Sequence, residues 1–137
     1  MHATLVTIGR VLLGLFFVVS GALKLKSGFD AGGLTQLAGY IGSRNLPQPQ
    51  VIAYAAMAFE IICGLAIVVG KFTTPVALVL ALFCIATAVL FHNFWSVPAD
   101  QAQAFQNQLN NFLKNIALAG AFLVLAGEGI RVKFANA

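Results

Sequence analysis

The chain has 137 residues, of which 60% are hydrophobic and only 9% are charged. Soluble domains carry about 25% charged residues, so this composition excludes an ordinary soluble fold and predicts one domain embedded in a lipid bilayer. The eight basic residues behind the net charge of +4 are scattered along the chain, which argues against a nucleic-acid-binding surface.

Four apolar segments are long enough to cross a bilayer. They are residues 4–25, 51–70, 74–94 and 111–127. We therefore expect an all-α fold, a polytopic membrane four-helix bundle. Four crossings put both termini on one side. Basic residues are divided between the two sides, with Lys71, Arg131 and Lys133 on one and Lys24, Lys26 and Arg44 on the other, and we expect the termini on the cytoplasmic side. The first segment, with Arg10 before its apolar run, also has the pattern of a signal peptide, but we expect a retained helix.

The connection between the first two spans contains a short apolar pattern of its own. Apolar residues recur at helical spacing at Leu34, Leu37, Ala38 and Ile41, and Gly42 follows them. Pro47 and Pro49 then prevent the helix from continuing. This pattern predicts a short interfacial helix between the first and second spans.

The connection before the fourth span is rich in glutamine and asparagine, yet apolar side chains recur within it. Pro98 suits a helix start, and Ala102, Phe105, Leu109 and Phe112 follow it on one helical face. We therefore expect the fourth helix to begin outside the hydrocarbon and to be longer than its membrane span.

Glu60 lies near the middle of the second span, and no other charged residue occurs between Arg44 and Lys71. A carboxylate is costly in hydrocarbon, and the Glu stem is too short to reach the head groups. Glu60 is therefore either protonated or faces a cation or a wet cavity. A rise of 1.5 Å per residue places it roughly 13 Å below the membrane surface, within reach of Arg10 from one side or Lys114 from the other.

Helix direction predicts where the remaining polar groups meet. The first and third spans run the same way, so Lys24 and His92 fall on the membrane side at which the fourth span begins, near Lys114 and Asn115. We expect these groups to surround one pocket with Glu60 as its floor. The alternatives are that the lysines reach out to lipid head groups and that Trp95 belongs to an interfacial aromatic belt.

The sequence offers no ligand set for a metal and no nucleotide-binding motif. One usable His, one isolated Glu and two single cysteines do not make a metal site. Glycine-rich phosphate loops and dinucleotide fingerprints are missing as well. We therefore predict neither a metal nor a nucleotide cofactor.

Five segments, in this order, resemble the DoxX family of small four-helix membrane proteins. They are Arg10-Val-Leu-Leu-Gly-Leu-Phe-Phe, Ser20-Gly-Ala-Leu-Lys24, Glu60-Ile-Ile-Cys-Gly64, Phe91-His-Asn-Phe-Trp95 and Asn111-Phe-Leu-Lys-Asn115. The family takes its name from a small subunit of a thiosulfate:quinone oxidoreductase, and other members are associated with redox stress or quinone detoxification. The resemblance implies a prokaryotic cytoplasmic (inner) membrane. It also implies a shared polar site made of Arg10, Ser20, Lys24, Glu60, His92, Lys114 and Asn115.

Three functions fit these residues. In the first, the chain is a membrane component of a redox system that binds a quinone or a similar lipophilic molecule between aromatic walls such as Trp95. Lys114 and Asn115 would hold its oxygens, Glu60 and His92 would handle protons, and a partner oxidoreductase would supply electrons. Whether the chain is catalytic or an accessory subunit stays open.

The second function is a scaffold or anchor for partner oxidoreductases, in which the buried charges serve helix specificity. The third is a small transporter with a proton or anion relay centred on Glu60. Four helices enclose only a narrow path, so transport would call for a homo-oligomer. We expect the first function, with the scaffold next.

Overall fold

The computed structural model describes residues 1–29 and 33–135, and within these ranges it is helical with no strand. The helices are α1 (His2–Phe29), α2 (Gly33–Gly42), α3 (Pro49–Val69), α4 (Thr73–Phe91) and α5 (Ala102–Ala135), with one 3-10 turn at Phe94–Ser96. The predicted all-α class is therefore confirmed.

Four of these helices are long and apolar enough to cross a membrane. The candidate spans are His2–Leu25, Pro49–Val69, Thr73–Ser96 and Ala102–Val132. They include each of the four predicted spans almost completely. The 34 residues of α5 rise about 51 Å, more than the roughly 30 Å of a hydrocarbon core, so the prediction of an overlong fourth helix is also confirmed.

The chain divides into two compact units, residues 1–72 and residues 73–137. In the first unit α1 packs along α3, and α2 packs on both. Leu34, Ala38 and Ile41 of α2 are buried, so the short helix forms where its apolar pattern predicted it. Gly70 ends α3 in the left-handed region at φ 83°, and its N–H donates to Ala66 and Ile67 carbonyls.

A seam of regularly spaced residues on α1 faces α3. Its members are Arg10, Gly14, Phe17, Gly21 and Lys24, which alternate steps of four and three. This spacing keeps one face of a helix against a straight neighbour, as in a coiled coil. Phe17 is 3% exposed, and both glycines are buried. The two cations at the ends of the seam are thereby directed at α3.

The two helix backbones touch where Gly14 of α1 meets Gly64 of α3. A Cβ atom added to either glycine would lie 2.8 Å from the carbonyl oxygen of the other. No side chain fits between backbones at that distance, so the crossing requires glycine on both helices. This contact fixes how closely α1 approaches α3.

In the second unit α4 packs along α5, and the 3-10 turn packs on α5. The buried residues of α4 are mostly small, which allows the helices to lie close together. They are Ala77, Leu80, Ala81, Cys84 and Ala88. Pro75 lies in the first turn of α4, where its missing N–H leaves no helical hydrogen bond unmade.

The helix crossing makes a direct prediction. Gly14→Ala should lower the free energy of unfolding by about 1–3 kcal/mol, because the added methyl group meets Val68 and the Gly64 carbonyl. Gly9→Ala on the same helix is the matched control. It has open space within 4 Å and should be neutral or stabilising by up to about 1 kcal/mol. Thermal unfolding in detergent measures both, and equal stability of the two variants would contradict the close crossing.

Candidate functional site

The centre of the first unit is an ion pair between α1 and α3. Glu60 is 6% exposed, and its Oε2 lies 2.5 Å from Nζ of Lys24. The side chain of Lys24 is more open, at 26% exposed, so the cation lies on the outer side of the pair. Glu60 thus faces inward to a cation, one of the three alternatives for it, but the cation is Lys24 and not one of the two predicted partners.

Ser20 is the third member of the cluster. It lies one helical turn before Lys24, so both side chains emerge from the same face of α1. The Ser20 hydroxyl accepts a hydrogen bond from Lys24 at 3.0 Å and donates one to Glu60 Oε2 at 3.3 Å. Ser20, Lys24 and Glu60 therefore form a closed triangle of hydrogen bonds, which we call the polar triad.

Arg10 has a different partner from the one predicted. Its Nη1 donates to the carbonyl oxygens of Ile67 and Val68, the latter at 2.8 Å. These carbonyls belong to the last turn of α3, where helical partners run out and the helix dipole is negative. Ile67 lies about 10 Å along α3 from Glu60 at 1.5 Å per residue. The predicted Arg10–Glu60 pair was wrong because Arg10 is level with the end of α3.

Gly70 completes this contact. A Cβ atom there would lie 2.7 Å from the Arg10 guanidinium, and the positive φ independently disfavours a side chain. The glycine therefore both ends α3 and leaves room for the cation that caps it.

An open groove of about 440 Å³ lies beside the polar triad. Its lining residues fall on one face of α1 and are Leu15, Phe16, Val19, Ser20 and Leu23. Four of them are apolar, and Ser20 belongs to both the groove and the triad. An apolar surface therefore borders directly on a hydrogen-bonded ion pair.

In the second unit His92 lies just after the end of α4. Its Nδ1 lies 3.1 Å from Oε1 of Gln108 on α5. Gln108 was not predicted as a partner, since it is one of several similar amides in that stretch. The available signal was its place one turn before Phe112, on the α5 face that the predicted apolar pattern already turns inward.

Trp95 is a member of an aromatic cluster at the same end of the unit. Its ring meets Phe94 and Phe112 edge to face, with ring centroids 5.1 and 5.9 Å apart. Phe94 also contacts Phe105. Trp95 is nevertheless 56% exposed, as an interfacial tryptophan would be. Its predicted part in ligand binding stays a prediction.

The other two predicted residues lie on α5. The Asn115 side chain donates to the Asn111 carbonyl of its own helix at 2.9 Å, and Lys114 is exposed. Lys24 lies in the first unit, whereas His92, Lys114 and Asn115 lie in the second. Their gathering around one pocket, and the pairing of Glu60 with Lys114, stay predictions.

Sequence reasoning also overlooked an ion pair near the end of α5. Glu128 Oε1 lies 2.6 Å from the Arg131 guanidinium, three residues further along the helix. The spacing alone could have identified it. Within residues 1–29 and 33–135, no group of three metal-ligating His, Cys, Asp or Glu side chains is assembled.

Comparison with known proteins places the chain in a family. The DoxX family model matches residues 5–93. Inner membrane protein YphA of Escherichia coli (strain K12) is 36% identical over 125 residues, covering 91% of this chain and 83% of that protein. Inner membrane protein YqjF of the same organism is 31% identical over 128 residues, covering 90% and 83%. No solved structure matches the chain. The chain therefore belongs to the DoxX family and is an integral membrane protein.

The ion pair predicts a coupling between Lys24 and Glu60. Lys24→Gln and Glu60→Gln should each lower the free energy of unfolding by roughly 1–3 kcal/mol, because each leaves one charge without its partner and Lys24 is partly exposed. The double variant should lose less than the sum of the two. Thermal unfolding in detergent gives the coupling, with the exposed Lys71→Gln as the control. Additive losses would contradict the pair.

The Arg10 contact predicts the opposite result for a second pair of variants. Arg10→Gln should lower the free energy of unfolding by roughly 1–3 kcal/mol, because two carbonyls lose a charged donor. Combining it with Glu60→Gln should add the two losses, since the residues share no hydrogen bond. Recovery of stability in the double variant would instead indicate a direct Arg10–Glu60 interaction.

Proposed function

Because the chain is a DoxX-family membrane protein with a polar triad beside an apolar groove, we propose that it binds a quinone-type lipophile as the membrane component of a redox system. The observation that carries this proposal is the position of Ser20, which lines the groove and bonds to Glu60. A ring seated in the groove would touch the hydroxyl that leads to the buried carboxylate.

The groove has the character of a small-molecule site. Its volume lies within the roughly 300–1,000 Å³ typical of such sites, and aliphatic and aromatic walls with a single hydroxyl suit a ligand that is mostly apolar. Such a ligand can reach the groove from the surrounding lipid. Ser20 then orients its oxygen.

The polar triad supplies the proton chemistry that a quinone requires. Reducing a quinone to a quinol takes two electrons and two protons. Once Glu60 has taken up a proton, its Oε2 can pass that proton to the Ser20 oxygen while Ser20 gives its own proton to a ring oxygen in the groove, which reverses the Ser20–Glu60 hydrogen bond. In this proposal His92 also handles protons, and Lys114 and Asn115 bind ligand oxygens. A partner oxidoreductase supplies the electrons.

The names of the relatives support a location. Both E. coli proteins are named as inner membrane proteins, so we propose the same kind of prokaryotic membrane for this chain. We further propose that both termini lie on the cytoplasmic side.

One observation favours a second function, the scaffold. Both cations of α1 bind to α3, Arg10 at its last turn and Lys24 at Glu60, so these charges also hold the two helices together. If that is their whole purpose, the protein anchors partner oxidoreductases and binds no small ligand. Stability alone cannot separate the two functions, because both require the ion pair.

Ligand content and turnover separate them. Protein purified in mild detergent should yield a quinone or its quinol form on lipid extraction and mass analysis, and Ser20→Ala should reduce its occupancy about tenfold, since the contact with the Ser20 oxygen is lost. In membranes with the partner enzyme, Glu60→Gln and His92→Ala should lower quinone-linked turnover by about 100-fold or more. Lys71→Gln serves as the control. A quinone-free extract with unchanged turnover in all three variants would favour the scaffold.

A further inference from the structure

The two oxygens of the Glu60 carboxylate differ in the hydrogen bonds that they accept. Oε2 accepts hydrogen bonds from both Lys24 and Ser20. Among the side chains and backbone groups that the structure describes, none donates to Oε1. Glu60 is 6% exposed as a residue, yet Oε1 is not one of the fully buried polar atoms that lack a partner, so this oxygen keeps some access to its surroundings. The unshared lone pairs of the carboxylate make this part of the triad an acceptor.

Ser20 and Lys24, the other two members of the triad, offer no hydrogen-bond donor to the groove. The Ser20 hydroxyl proton is directed at Glu60, so what remains on Ser20 is an acceptor lone pair. Lys24 donates to both Ser20 and Glu60 and is not one of the residues that line the groove. The triad therefore presents a hydrogen-bond acceptor to the groove, the Ser20 oxygen, and no donor.

This capacity discriminates between the two redox forms of the ligand. A quinone carbonyl or an ether oxygen in the groove would set its lone pairs against that of Ser20. A ring hydroxyl can donate to the Ser20 oxygen. We infer that the groove beside the polar triad selects a hydroxyl-bearing lipophile, a quinol or another phenol, over the oxidised quinone. This inference rests on the proposed function, since it names the form of that ligand which the site takes.

Two pairs of probes test this selectivity. One pair is 4-hexylphenol and its methyl ether, which differ in the hydroxyl proton and undergo no redox change. The other is duroquinol and duroquinone, kept under anaerobic conditions. Isothermal titration to the full chain in detergent should give a Kd about tenfold lower for each hydroxyl form, as expected when the hydroxyl makes one hydrogen bond that the carbonyl or ether cannot make.

Glu60→Gln should bring the ratio of the two Kd values towards one, because the amide Nε2 can donate to Ser20 and leave the Ser20 proton for a carbonyl or ether oxygen. Glu128→Gln makes the same change of atoms in the carboxylate that bonds Arg131, and it should leave the preference unchanged. Ser20→Ala provides a second test that keeps the Lys24–Glu60 pair. It should weaken the binding of both hydroxyl forms, even if Glu60→Gln proves unstable.

The outcomes are distinct. Equal affinity for both members of each pair, or tighter binding of the quinone and the ether, would overturn the selectivity and leave the proposed function standing. An unchanged preference in both Glu60→Gln and Ser20→Ala would remove the triad as its cause. Failure of all four probes to bind would overturn the proposed function together with this inference.

Discussion

The buried carboxylate of Glu60 is the constraint on which the first unit depends. A charged side chain at the centre of a membrane helix costs about 2.5–3.5 kcal/mol on insertion scales, and the surrounding apolar residues of α3 provide nothing to offset it. Lys24 and Ser20 supply the missing partners from α1. A second cation, Arg10, binds the carbonyls at the end of α3. The glycine contact between the two attachment points then sets the distance between the helices.

These three contacts explain why the seam on α1 contains residues that look out of place in an apolar helix. Two cations and two glycines replace the large side chains that a membrane helix usually carries. The glycines allow the two backbones to approach closely. At that distance the Lys24 ammonium can reach the carboxylate of the short Glu60 side chain. Packing and electrostatics are thus not separable here, since wider helix spacing would stretch the ion pair.

Sequence patterns predicted the features that depend on hydrophobicity. The four spans, the short α2 and the early start of α5 all follow from where apolar residues recur and where prolines and glycines interrupt them. Burial of Glu60 followed from the same reasoning. The identity of its partner did not, because depth alone made Arg10 and Lys114 appear suitable. The first span was predicted to end at residue 25, where the candidate span also ends, and α1 continues beyond it to Phe29.

The steps of four and three from Arg10 to Lys24 would have shown that both cations and both glycines share one face of α1. The hydrophobic pattern did not reveal this shared face, because charged residues are not counted in such a pattern.

The His92–Gln108 contact is a different case. It depends on how the turn after α4 is folded, and the many equivalent amides of α5 give no local reason to choose one. Short-range patterns cannot specify such a contact.

The attachment of both α1 cations to α3 has a consequence for biogenesis. The ribosome releases α1 first, so Arg10 and Lys24 reach the insertion machinery before their partners at Glu60, Ile67 and Val68 have been synthesised. Until then α1 is a poorly lipid-soluble helix carrying two unneutralised charges. Stable residence of α1 in the bilayer therefore waits for α3, and a chain truncated before residue 60 should be held by the insertase or degraded rather than accumulate as a one-helix fragment.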